Sequence, residues 1–302
     1  MTTTDLDELT EIFTKVTIAE SPKTEVLELC KIPDSLNIEQ LKKNISDYFS
    51  LTRLSFYSEK NCGLKIEDRF SEYYTAKSTD GIEVGAGNCA IDVITKNNEG
   101  IDAMCVIQDK NKKTSNEKSL MQNFSVAGKN LDTLFKDKKD AEAVQLYGSG
   151  YLQKLQKTKE KHLLKELYIL AFISTKKDVS LVCFKLNLEN IKKISSGGFV
   201  KGLQGEKNII INNFINPSYG NVKLYKSKKR IELRLNIDVL KSEYAVKIYT
   251  MPEGSEGLVA QSAEPLVQTP HSPPVCTEQS QTSQEESDTN QESPESESTP
   301  EE

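Results

Sequence analysis

Residues 87–107 read GNCAIDVITKNNEGIDAMCVI. Two β-rich runs, Cys89–Thr95 and Ile101–Ile107, flank Lys96-Asn97-Asn98-Glu99-Gly100, a turn-forming segment. This pattern predicts a hairpin. Side chains alternate across a strand, so Asp92 and Ile94 share one face of the first strand. Asp102 and Met104 share one face of the second. Each strand therefore carries a carboxylate inside an apolar run, where a lone charge is costly without a partner. If the turn closes with an odd number of residues, such as Lys96-Asn97-Asn98, Asp92 falls opposite Asp102. Opposed carboxylates repel unless a divalent cation lies between them. Oxygen-only ligation points to Mg²⁺ rather than zinc. The alternative for Asp92 is a strand-edge acid pointing to solvent.

On these residues the chain resembles the PD-(D/E)xK nucleases, in particular type II restriction endonucleases. The matching stretch is Gly87-Asn88-Cys89-Ala90-Ile91-Asp92, followed by Gly100-Ile101-Asp102-Ala103-Met104, and the similarity covers about residues 80–135. The resemblance implies a restriction-endonuclease-like fold and Mg²⁺-dependent hydrolysis of DNA phosphodiester bonds, with Asp92 and Asp102 as metal ligands. Glu83 or Glu72 could add an outer carboxylate. The family's lysine position holds Met104, which cannot donate a proton or carry charge. Three readings stay open. The lysine has moved, with Lys118 the first choice and Lys110 or Lys112 behind it, and Glu117 orienting the lysine or the water. The site works without it. Or the chain is an inactive descendant that still binds nucleic acid or metal, a nucleic-acid-binding or protein-interaction module on the same fold.

Working outward, Asp109–Ser115 reads as a polar loop. Ser115 or Asn116 can cap a helix carrying Leu120, Phe124, Leu131, Leu134 and Phe135. A Lys-rich helical run spans about 140–167. Two nearly continuous apolar runs, Leu167–Ser174 and Val179–Leu186, predict strands at the centre of a covered sheet. Further strands are expected at 208–215, 222–225 and 230–237. Before the hairpin, Leu6, Leu9, Ile12 and Phe13 recur at helical spacing, as do Leu41, Ile45, Tyr48 and Phe49, and Asp68–Tyr74 begins a third helix. The expectation is an α/β (α+β) chain with a mixed central sheet flanked by helices. Its parts are a helical N-terminal region over 1–75, the core over 76–250 and a tail over 251–302.

The chain has 302 residues and a net charge of −6, from 39 basic and 45 acidic residues. That average hides two unlike parts. Residues 251–302 hold twelve acidic residues, no Lys or Arg and seven of the ten prolines, which leaves 33 acidic against 39 basic in 1–250. The body is mildly basic. The Pro/Ser/Glu/Gln-rich tail is expected to be disordered, either solubilising the chain or recruiting a protein partner. Basic residues that suit a phosphate-binding surface are Lys201 and Lys207 near a glycine-rich loop, and Lys226, Lys228, Lys229 and Arg230. No stretch of about 18 apolar residues predicts a membrane span. The acidic N-terminus lacks the features of a signal peptide. Six scattered cysteines without a C-x-x-C pair fit a reducing, cytoplasmic setting. With one histidine outside the tail, His162, no Ser/His/Asp set is available. A homodimer is an expectation, because cutting both strands commonly needs two sites.

Overall fold

The computed structural model describes residues 25–56, 64–84, 89–108, 113–121, 131–196 and 208–252. The chain divides into two units, Met1–Ser262 and Ala263–Glu302, and every described residue lies in the first. The predicted helix around Leu6–Phe13 and the tail beyond Pro252 lie outside the described residues.

The predicted hairpin forms. Strands β2 (Ile82–Glu83), β3 (Val93–Ile94) and β4 (Glu99–Ile107) are antiparallel neighbours. β3 and β4 register Val93 against Ile101 and Ile94 against Gly100. The loop Lys96-Asn97-Asn98 is odd in length, closed by the Thr95 N–H donating to the Glu99 carbonyl at 2.9 Å. Asn98 takes the left-handed conformation at φ 59° that such three-residue loops require.

β4 runs parallel to β6 (Glu166–Ser174), which pairs antiparallel with β7 (Asp178–Leu186). On its other edge β7 holds β1 (Leu27–Cys30) and β11 (Val246–Thr250). The result is a seven-stranded mixed sheet in the order β1-β7-β6-β4-β3-β2, with β11 beside β7. A second, antiparallel sheet orders β5 (Lys118–Met121), β10 (Arg230–Leu235), β9 (Gly220–Tyr225) and β8 (Asn208–Ile211).

The large sheet is covered on both faces, which explains the continuous apolar runs of β6 and β7. One face buries Ile101, Ala103, Cys105, Leu170, Phe172 and Leu181 against Leu41, Ile45 and Tyr48 of α1 (Ile38–Phe56) and Ala76 of α2 (Asp68–Ser78). The other face carries Met104, Val106, Ile169, Ala171 and Val182. It packs on Val144, Tyr147, Tyr151 and Leu155, and on Leu224 and Leu233 of the small sheet. Among the described residues the remaining helices are α3 (Leu131–Lys136), α4 (Asp140–Lys161), α5 (Leu188–Ser195) and α6 (Ile237–Glu243). The architecture is α+β, with a mixed central sheet flanked by helices. No described helix is long and apolar enough to cross a membrane.

Two expectations need correction. The helix predicted from Asn116 onward is absent at its start, where Lys118–Met121 is a strand paired with β10. Satisfying the open edge of β10 outweighs the helical spacing of Leu120 and Leu131. The first hairpin strand, expected over Cys89–Thr95, forms a ladder only at Val93–Ile94. Beside helices α1 and α2, the N-terminal region also supplies the edge strand β1.

Candidate active site at the splayed edge of the hairpin

Continuing the β3–β4 register by one residue sets Asp92 opposite Asp102. There the two strands part. Along the edge that β3 vacates, alternate N–H groups of β4 are taken by side chains instead of a strand. Ala103 N donates to Asp92 Oδ2 at 2.9 Å, Cys105 N to Asp68 Oδ1 at 3.3 Å, and Ile107 N to Asn116 Oδ1 at 2.9 Å. Unpaired strand N–H groups need such partners. Here two of the three partners are carboxylates, so the splay gathers negative charge.

The electrostatics follow. Asp102 is enclosed by protein, although the residue as a whole keeps some exposed surface. Burial, then the charge of Asp92, push its carboxyl well above the ordinary carboxylate range. A hydrogen bond between the two carboxyls adds to the rise. Burial also raises Asp92, while the Ala103 N–H and the hydrogen bond with Asp102 pull it back. Glu72, one turn along α2 from Asp68, is pushed up to about 7 by burial, then by Asp92, Asp68 and Glu83. The phenol of Tyr151 is raised by burial and by Asp102.

Two lysines face this cluster. Lys118 Nζ, from β5, donates to both oxygens of Asp68 at 2.7 and 2.9 Å. Lys154, on α4, lies three residues after the buried Tyr151, and its charge favours the ionised forms of both Asp92 and Asp102. The same helix anchors the approach to β3, since Thr158 Oγ1 accepts from Ala90 N at 3.2 Å.

Of the residues predicted from sequence, the structure brings together Asp92 and Asp102, and it links Lys118 to them through Asp68. Glu83 is exposed on β2 and touches the cluster only electrostatically, through Glu72. Glu117 turns instead to the small sheet. Its carboxylate meets the Tyr225 hydroxyl in a short hydrogen bond and Arg234 Nη2 at 3.1 Å. Burial would raise it, but Tyr225, Arg234 and Lys223 hold it below the ordinary range. Met104 is 5% exposed, in the core beneath α4.

The basic cluster is engaged with carboxylates. Lys226 pairs with Asp140 at 2.9 Å, Lys229 with Asp132 at 2.7 Å, and Arg230 and Lys228 with the buried Glu232. Lys201, Lys207, Lys110 and Lys112 lie outside the described residues. Sequence reasoning missed Asp68 and Lys154. Lys154 had a signal: it falls on the helix face that also carries Tyr147, Tyr151 and Leu155, where a lysine is out of pattern.

Among the described residues, no group of three or more His, Cys, Asp or Glu side chains is arranged to hold a metal ion. The Asp92–Asp102 pair nevertheless offers only hard oxygen donors, set opposite one another where the strands part. Mg²⁺ is commonly held by one or two carboxylates, with waters and phosphate oxygens completing its shell. The pair fits that pattern. No protein-family model, curated protein or solved structure matches this chain.

Proposed function

We propose that this chain is a Mg²⁺-dependent DNA endonuclease with a restriction-endonuclease-like core. The observation that carries the reading is the meeting of Asp92 and Asp102 at the point where β3 leaves β4, with the charge of Lys154 acting on both. Asp92 and Asp102 would hold the cation, and the further acids whose charges act on the pair are Asp68 on Asp92 and Glu72 on Asp102. Such a cation, when bound, supplies a water of lowered pKa and offsets charge on the phosphate. Lys154 takes the part that Met104 cannot. Its ammonium holds positive charge beside the acids and can donate hydrogen bonds to the attacking water or a phosphate oxygen. Lys118 holds Asp68, and Asp68 in turn holds the β4 edge at Cys105. Those two are positioning residues.

A second reading has an observation of its own. Met104 is buried in the core and the exposed-face lysines near Arg230 are paired with acids, which favours a non-cleaving module on the same scaffold. Incubating supercoiled plasmid with Mg²⁺ or Mn²⁺ separates the two. Nicking or linearisation by wild type that is lost in Asp102→Ala supports the nuclease. Cleavage that survives Asp102→Ala removes the site assignment. DNA binding without cleavage across many sequences supports the second reading.

A further inference from the structure

The edge of β7 is shared by two strands. β1 pairs with its Cys183–Leu186 half and β11 with its Asp178–Leu181 half. Where β1 and β11 part, a cleft of about 680 Å³ opens, and both Cys30 and Cys183 line it. The two cysteines are direct cross-strand partners in the β1–β7 register. Directly opposed antiparallel residues lie about 4.5–5.5 Å apart at Cα, inside the about 4.4–6.8 Å span that a disulfide accepts. The Cys30 thiol points at its partner and donates to the Cys183 carbonyl at 3.6 Å. The thiols themselves are in hydrogen-bond contact. That contact, then burial, keeps Cys183 protonated well above the usual thiol range.

The two sites differ in access. Cys183 is 1% exposed, whereas Cys30 is partly exposed at the end of an edge strand, on the open cleft. Nothing in the proposed nuclease chemistry uses either thiol. We propose that Cys30 and Cys183 form a reversible, peroxide-driven disulfide, with Cys30 the reacting thiol and Cys183 the resolving one. The Cys30 sulfur attacks one peroxide oxygen. The O–O bond breaks, leaving Cys30 sulfenic acid and one water (from hydrogen peroxide). The Cys183 sulfur then displaces the hydroxyl, forming the S–S bond and releasing a second water. Two thiols are oxidised and one peroxide is reduced. The bond pins the end of β1 to β7 at the wall of the cleft, and a dithiol reductant restores the thiol pair.

The test uses the reduced full-length chain treated with stoichiometric hydrogen peroxide, followed by thiol alkylation and non-reducing peptide mass spectrometry. The expected product is a Cys30–Cys183 linked peptide pair, about 2 Da lighter than the two thiol peptides together. Dithiothreitol should reverse it, and Cys30→Ser, a change at the partly exposed member, should abolish it. Amide exchange in Leu29 and Cys30 should slow on oxidation and recover on reduction. The proposal is overturned if Cys30 goes on to sulfinic acid or joins another cysteine while Cys183 stays alkylatable. It is also overturned if the linked pair forms only after the chain is unfolded.

Discussion

Replacing Asp102 by Asn removes one of two opposed carboxyls that both stand above their ordinary range, yet leaves a side chain able to donate to Asp92. Without a cation, the wild-type pair must keep a proton or set two negative charges side by side. Burial of Asp102 opposes its ionisation first, and the neighbouring charge adds to that: two unit charges about 4 Å apart repel by about 4 kcal/mol at an effective dielectric of about 20. The sign follows from proton binding. The folded state holds the Asp102 proton to higher pH than the unfolded chain does. Between the two pKa values the folded state binds more protons, so unfolding free energy falls as pH rises through that window. Glu72, raised from 4.5 to about 7, adds to the loss over the same direction of pH, weakened by solvent screening at its more open position. In EDTA at pH 8, Asp102→Asn should therefore be more stable than wild type by about 1–3 kcal/mol, the order of that repulsion. At pH 4 the two should nearly coincide. Urea unfolding at both pH values measures this. A variant less stable than wild type at pH 8, or one offset equally at both pH values, refutes the opposed carboxyl pair.

Further outcomes are expected for four substitutions. Lys154→Ala should fold normally and lower plasmid cleavage by about 100-fold or more, the range of a lost proton-handling or charge-stabilising group; Lys118→Ala should cost less, since it acts through Asp68. Met104→Lys should not restore a nuclease lysine. It should lower stability by about 2–4 kcal/mol, because position 104 points into the core beneath α4, and thermal melts would show the loss. Gly100→Ala should cost about 1–3 kcal/mol in urea unfolding. An added Cβ there would stand 2.8 Å from Leu167 Cδ2 and 2.9 Å from both Ile91 Cδ1 and Leu164 Cδ1.

Much of what positions the pair was legible in the sequence, for local reasons. Asn97-Asn98 and Gly100 between β-rich runs specify a tight reversal, and period-two alternation then puts Asp92 and Asp102 on one face. The long apolar runs at Leu167–Ser174 and Val179–Leu186 similarly announced strands covered on both faces. What escaped depends on distant partners. β1 and β11 are four- and five-residue edge strands of mixed polarity, defined only by the free edge of β7. Lys118 was expected on a helix because Leu120 and Leu131 follow at compatible spacing, but β10 supplies a ladder and the backbone takes it. Asp68 reaches the site only because α2 packs on β4. Lys154 stands out of pattern on the apolar face of its helix, but only the fold shows its charge acting on Asp92 and Asp102. The basic surface expected at Lys226–Arg230 is, in its described members, a set of ion pairs.

The most direct measurement is a calorimetric titration of Mn²⁺, standing in for Mg²⁺, into the full-length chain in EDTA-free buffers of different ionisation enthalpy. Saturable binding accompanied by proton release is expected for wild type, because the raised carboxyl of Asp102 has to ionise to hold a cation. Asp102→Asn should lose both the binding and the released proton. Absence of binding in wild type, or binding unchanged in Asp102→Asn, would contradict the assignment of this carboxyl pair as the metal-dependent centre.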